Sequence, residues 1–232
     1  MPPALLSTPA VRRQNLLIEF ASLKHAAPSG VYMSLSLPDP TLWSGVIFTR
    51  KGPYHGGIFK FTITFPPTYP TTPPTIIFQT PLYHPLICPS PAPPSSPSTT
   101  PGLFSLRHGF PCWFTPTPTS PSTPTPTLDV LQYIKASLTE ASVLDDVPLS
   151  AAENDGAWKL WSAGEGARGA TGGWEERVGR VVEGSRGEEV VFGGGGAGAG
   201  GGGMRFVELE EGVVEGVKEV ARMVVEERVV LV

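Results

Sequence analysis

Residues 31–79 hold four short apolar segments separated by turns, and this spacing is the feature that most limits how the chain can fold. The segments read VYMSLSL, LWSGVIFTR, GIFKFTITF and TIIFQ, and they are rich in β-branched and aromatic residues. The third alternates apolar and polar residues from Phe59 to Phe65, which is typical of a strand with one buried face. Because the turns between the segments are short, we predict that the strands pair in sequence order as an antiparallel meander.

Helices are predicted on both sides of the strand region. Residues 11–26 place Leu16, Phe20 and Leu23 at three- and four-residue steps, and the sequence APSG then ends the pattern. Residues 128–142 repeat the same periodicity, with Thr127 as a candidate N-cap. An N-terminal helix, a four-stranded meander and C-terminal helices predict an α+β fold in which helices cover the sheet.

Two segments rich in proline, serine and threonine interrupt this order, at 87–101 and at 115–127. Such a composition cannot build an apolar core, so we predict two surface insertions. The elements around them are predicted to form one domain over residues 11–145.

The C-terminal part of the chain gives weaker signals. Residues 146–192 are predicted to be a weak helical extension, and 193–203, almost all glycine, to be a linker. Residues 204–232 repeat valines at helical spacing and predict an amphipathic helix. That helix contains two glycines and many valines, so it needs a partner surface, in its own domain or on another protein.

Composition excludes several classes of function. The net charge of −4 gives no general attraction to nucleic acid, and no apolar run is long enough for a transmembrane segment. The chain contains two cysteines, which is typical of a protein in a reducing compartment without a disulfide framework. We therefore expect a cytoplasmic protein.

Residues 52–85 carry a specific series of features: a glycine and tyrosine turn, the phenylalanine strand, Pro-x-x-Tyr-Pro, two adjacent prolines, a strand and His-Pro. In this order they resemble the ubiquitin-conjugating enzyme family. The resemblance implies the α+β fold of that family for about residues 11–145.

The same resemblance indicates where a catalytic site would lie and how it is altered. Active members of the family have asparagine after His-Pro, to stabilise an oxyanion, and a nucleophilic cysteine in a Gly-x-x-Cys-Leu pattern. Here His84 and Pro85 are followed by Leu86, which cannot donate a hydrogen bond, and the best match, GLFSL, places Ser105 at the cysteine position. A serine needs an adjacent base to act as a nucleophile. We therefore predict a degenerate site without catalytic activity, with no cofactor and no metal.

Two alternatives remain open at this point. Cys112, in GFPCW, fits a looser Gly-x-x-Cys pattern, so the chain could be an active conjugating enzyme that uses this thiol. Cys88 lies too close to His84 for the family spacing and is the weaker candidate. The second alternative is an inactive protein that binds ubiquitin on behalf of an active conjugating enzyme.

A subgroup of inactive relatives, the AKT-interacting (fused toes) proteins, shares further features with the chain. They carry His-Pro-Leu, and also a glycine, a phenylalanine and a tryptophan spaced like Gly102, Phe110 and Trp113 before a helix. This resemblance implies a protein-binding module. The resemblance further implies an adaptor subunit in a complex with Hook-type coiled-coil adaptors, which links endosomal cargo to dynein. Such a protein would be bound peripherally to endosomes. Ubiquitin is a further candidate partner.

Overall fold

The four predicted strands form one antiparallel sheet whose neighbours follow sequence order, which confirms the predicted meander. A computed structural model describes residues 9–36, 38–89, 100–114, 126–192 and 212–215. The strands are β1 Val31–Leu35, β2 Leu42–Phe48, β3 Ile58–Thr64 and β4 Thr75–Phe78.

Strand register gathers the largest apolar side chains on one face of the sheet, the inner face. Val31 lies opposite Ile47, which in turn lies opposite Phe59. Further along, Ile63 lies opposite Ile76 of β4. Because side chains alternate along a strand, these partners all point the same way. All of them except Val31, which is 4% exposed, are completely buried.

Helices cover the inner face, as the α+β prediction requires. The helices in the described residues are α1 Pro9–Ala26, α2 Thr127–Thr139, α3 Ala141–Asp145, α4 Asp155–Ser162, α5 Glu165–Arg168, α6 Trp174–Ser185 and α7 Glu188–Val191, of which α1 and α2 pack on the inner face. The ring of Phe20 on α1 meets Trp43 of β2 edge-on, with 5.1 Å between the ring centroids. From α2, Leu131, Ile134 and Leu138 are fully buried in the same core. No helix in the described ranges is long and apolar enough to cross a membrane.

The start of α2 differs from the prediction in one respect. Pro126 occupies the N-cap position, and Thr127 is the first helical residue. The Thr127 hydroxyl is used elsewhere, because it donates to the Glu19 carboxylate on α1. Tyr69, in the loop after β3, donates to the same carboxylate over 3.1 Å, and the backbone N–H of Thr127 lies 3.4 Å from it. Glu19 thus joins α1, this loop and the beginning of α2.

Replacing Glu19 by glutamine is expected to lower the free energy of unfolding by about 1–2 kcal/mol. The three donors then lose a charged acceptor, because the glutamine amide is neutral and one of its two polar atoms is itself a donor. Chemical denaturation of the full chain measures this loss. The exposed Glu140 offers a matched control, since the same replacement there is expected to change stability by less than about 0.5 kcal/mol. Equal effects of the two substitutions would contradict the structural role of Glu19.

Two helices beyond residue 145, α4 and α6, contribute side chains to the core. Trp161 of α4 and Trp174 of α6 are 4% and 2% exposed and meet edge-on, with 5.1 Å between ring centroids. Trp174 also meets the ring of Tyr54, in the turn between β2 and β3, at 5.9 Å. Aromatic side chains from this segment therefore complete the core.

The remaining predicted segments are only partly described. At the first insertion, Ile87 and Cys88 are ordered and 1% exposed, while 90–99 lie outside the described residues. These two side chains pack into the domain. Most of the second insertion (115–125), the predicted linker 193–203 and most of 204–232 also lie outside the described residues. Within the last range, 212–215 are helical.

Candidate functional site

His84 lies in the loop that follows β4, and its side chain is completely buried. Its Nδ1 accepts a hydrogen bond from the backbone N–H of Leu86 over 3.0 Å. The ring proton is therefore on Nε2, which donates to the carbonyl oxygen of Ser137 on α2 over 3.1 Å. Both nitrogens are used to hold the loop against the helix.

The surroundings of His84 keep the imidazole neutral. Burial lowers its pKa from 6.5 to about 4, while the bond to the Ser137 carbonyl opposes this shift only in part. The ring of Tyr54 stacks on it, with 5.5 Å between centroids, and the Tyr54 hydroxyl donates to the carbonyl of Tyr83. With no free nitrogen, this histidine has no position from which to take a proton from a nucleophile.

Leu86 is fully buried and belongs to the core cluster, so its side chain points into the domain. Its carbonyl oxygen accepts from the backbone N–H of Ser105 over 2.8 Å. The next residue, Ile87, forms a bridge with Phe104. The structure therefore brings together the two positions, 86 and 105, that the sequence analysis singled out.

Gly102 begins the segment that carries Ser105, and its backbone requires glycine. Its φ of +79° lies in the left-handed region, and a β-carbon there would collide with the carbonyl oxygen of Phe78. This close approach lets the Gly102 carbonyl accept from the N–H of Phe78, while Phe104 donates to Ile76. The segment thereby runs along the edge of β4.

Ser105 borders a cavity of about 270 Å³ at this edge. The residue is 5% exposed, and within the described ranges its hydroxyl oxygen has no hydrogen-bond partner. Glu153 and Arg107 line the same cavity, together with Pro73 and Pro74 of the loop before β4. The site is a small recess with a serine hydroxyl and a buried glutamate at its wall.

The two cysteines occupy different environments. Cys88 is 1% exposed, and its backbone pairs with residues 102 and 103, so it packs as a small apolar side chain. Cys112 is half-buried in a single 3-10 turn, Pro111–Trp113. The indole N–H of Trp113 donates to the carbonyl of Pro70 over 3.0 Å and fixes this turn against the loop after β3. Among the described residues, no cluster of three or more His, Cys, Asp or Glu side chains could hold a metal ion.

Comparison with known proteins identifies the fold. The family model "Ubiquitin-conjugating enzyme" matches residues 15–91, which hold most of α1, the four strands and the His84 loop. The chain has the ubiquitin-conjugating enzyme fold. This confirms the predicted α+β fold class and agrees with the resemblance carried by the motif series at 52–85.

Several relatives match the chain over part of its length. A "Protein crossbronx homolog" from Culex quinquefasciatus is 38% identical over 87 residues, which is 37% of this chain and 37% of that protein. "Protein crossbronx" from Drosophila willistoni is 36% identical over 111 residues, 47% of this chain and 40% of that protein. "AKT-interacting protein" from Homo sapiens is 40% identical over 77 residues, 33% of this chain and 26% of that protein. The chain thus matches less than half the length of each of these relatives.

Sequence reasoning missed two residues of this ubiquitin-conjugating-like domain. The backbone N–H groups of Glu153 and Asn154 both donate to the carbonyl of Pro85, over 2.8 and 3.0 Å. The Asn154 side chain caps α4 by accepting from the N–H of Ala157 over 3.0 Å. An asparagine followed by the Trp-x-x-Trp spacing of Trp158 and Trp161 could have indicated a capped amphipathic helix there.

Proposed function

We propose that the chain is a non-catalytic protein of the ubiquitin-conjugating enzyme fold that acts by binding other proteins. The observation that carries this proposal is the pair of neighbouring positions 86 and 105, linked by a 2.8 Å backbone hydrogen bond. Their side chains are a buried leucine and a serine hydroxyl. Neither a thiol nor an amide donor stands where the family resemblance would require one.

Chemistry at this pair of positions is disfavoured at each step. Formation of a thioester needs a thiolate, and the hydroxyl of Ser105 has no hydrogen-bonded base among the described residues. His84, two residues before Leu86, is neutral and uses both ring nitrogens for hydrogen bonds to the backbone. Transfer to an amine needs an oxyanion donor, whose loss typically lowers a rate about 10²–10³-fold. Leu86 supplies no such donor.

The partner is proposed to be a protein, in keeping with the relatives. The name AKT-interacting protein, carried by several of them, describes a protein that binds another protein. The fused-toes resemblance adds a Hook-type coiled-coil adaptor as the specific candidate, and a peripheral position on endosomes as the place of action. A coiled-coil partner would present a helix with an apolar stripe to a groove of this domain.

The first test is charging of the full chain with ubiquitin, activating enzyme and ATP. We expect no reducible adduct under conditions in which an active conjugating enzyme is fully charged. Cys112→Ser is the informative variant, because Cys112 is the more exposed of the two cysteines and lies outside the core cluster. An adduct that disappears in this variant would overturn the proposal and establish the alternative of an active enzyme.

The second test separates an adaptor from a ubiquitin-binding cofactor. Purified full chain is titrated with the coiled-coil region of a Hook-type adaptor and, separately, with ubiquitin, while backbone NMR signals are followed. Saturable binding of the coiled coil with unchanged spectra in ubiquitin supports the adaptor role. Saturable binding of ubiquitin without binding of the coiled coil would replace it by the cofactor role.

A further inference from the structure

The sheet has a second face that points away from the helices covering the core, here called the outer face. Strand pairing places Tyr32 opposite Val46, and Val46 opposite Lys60. These positions alternate with the buried inner-face residues, so their side chains project to the other side. The outer face is formed by Tyr32, Ser44, Val46, Phe48, Ile58, Lys60 and Ile77.

The middle of the outer face is covered, although it is not part of the core. Val46 is completely buried, yet it does not belong to the cluster of buried residues under the helices. Ser44, two residues before it on the same face, is 5% exposed. Ser44, Phe48 and Lys60 each also take part in a further polar, ring or electrostatic contact. A bare sheet face would leave a central valine open to solvent.

The C-terminal helices lead the chain onto this face. The hydroxyl of Ser185, at the end of α6, accepts from the backbone N–H of Ile58 over 3.0 Å. The ammonium group of Lys60 then donates to the carbonyls of Val190 and Val191, over 2.7 and 2.8 Å. A lysine at the last carbonyls of a helix is a favourable C-terminal contact. The Lys60 side chain thus holds the end of α7 beside the outer face, and Phe192 follows directly after this point.

We propose that the outer face is a docking surface for the chain's own segment 204–232. The eleven residues from 193 to 203 can reach at most about 40 Å, and a four-stranded sheet is about 20 Å wide, so every part of the face is accessible from Phe192. The segment carries a stripe of valines that needs an apolar surface, which the outer face provides through Val46 and Phe48. Its seven glutamates against four basic residues also complement Lys60.

The four described residues of the segment differ in solvent exposure. Residues 212–215 are helical, and Val213 is 48% exposed, whereas the adjacent Val214 is half-buried. In the helix predicted from the sequence, Val217 and Ala221 follow Val214 at three- and four-residue steps and would lie on its side. The proposal therefore assigns Val214 to the contact and Val213 to solvent. A partner that used the outer face would have to displace the segment.

The test uses paramagnetic broadening in the full chain. A nitroxide is attached to Lys218→Cys in a Cys112→Ser background, in which the remaining Cys88 is buried. The methyl signals of Ile58 and Ile77 on the outer face are compared with that of Ile18, which is exposed on α1. Docking predicts several-fold stronger broadening of the two outer-face signals.

Two adjacent valines provide matched variants. Val214→Asp is expected to abolish the preferential broadening, while Val213→Asp is expected to preserve it. Unchanged methyl shifts of Ile63 and Ile76 on the inner face show that both variants remain folded. Equal broadening of outer-face and α1 signals, or equal effects of the two substitutions, would overturn the proposal. Mixing nitroxide-labelled chains with isotope-labelled chains that lack the nitroxide provides a further check. Broadening of the outer-face signals in this mixture would also overturn the proposal, because the segment on the face would then come from a second copy of the chain.

Discussion

Replacing Leu86 by asparagine, the residue found there in active conjugating enzymes, is expected to lower the free energy of unfolding by about 3 kcal/mol. The leucine side chain is completely buried within the core cluster. Asparagine removes apolar contacts and places an amide in an apolar environment, where its donors and acceptor must find partners or remain unsatisfied. Denaturant unfolding of the full chain measures the change.

Leu86→Met provides the control for this substitution. Methionine has nearly the same volume and no polar hydrogen-bond donor, so the expected loss is below about 1.5 kcal/mol. If the asparagine variant were as stable as the methionine variant, position 86 would face solvent rather than the core. The two variants keep the backbone bonds to His84 and Ser105, so their difference reports on the side chain.

The expected cost indicates that the side chain at position 86 matters for packing as well as for the proposed loss of catalysis. The Leu86 side chain is part of the core packing, so an asparagine at this position would have to be accommodated by the core before it could act as an oxyanion donor. The neighbouring Ser105 is also only 5% exposed. A substitution that introduces a catalytic group at either position must first be accommodated by the core. This supports the proposal that the domain is used for binding.

The sheet could be predicted from the sequence because its signal is local. The alternation from Phe59 to Phe65 fixes which face is buried, and the short turns fix the order of the strands. The importance of positions 86 and 105 was implied by the family resemblance, whereas their backbone pairing is visible only in the structure. The prediction of the sheet needed no knowledge of distant parts of the chain.

Long-range packing is the part that the sequence did not predict. The sequence suggested that Cys88 begins a surface insertion, because prolines and serines follow it, yet its backbone pairs with residues 102 and 103. Trp161 and Trp174 stand in a segment with weak periodicity, and Trp174 packs against Tyr54, more than one hundred residues earlier. Composition describes a segment by itself and does not contain such contacts.

Acidification is expected to weaken the fold through His84. In the folded chain its pKa is lowered to about 4 by burial, against an ordinary value of 6.5. Between these values the unfolded chain binds a proton that the folded chain does not, so stability falls as the pH decreases through this window. The full effect is a loss of about 3 kcal/mol from this one group between pH 7 and pH 4. Unfolding free energies measured across this range in denaturant test the slope.

The pH effect is separated from that of other groups by comparing two histidine variants. His84→Asn removes the titrating ring and lowers stability at pH 7, because the bond to Ser137 is lost, but its stability should depend less on pH than that of the original chain. His55→Asn changes an exposed histidine and should retain the original slope. If the slope survived in His84→Asn, the buried imidazole would not be the group that charges on unfolding. A reduced slope together with an unchanged His55 variant would show that this histidine acts as a neutral backbone anchor, which is incompatible with a role in proton transfer.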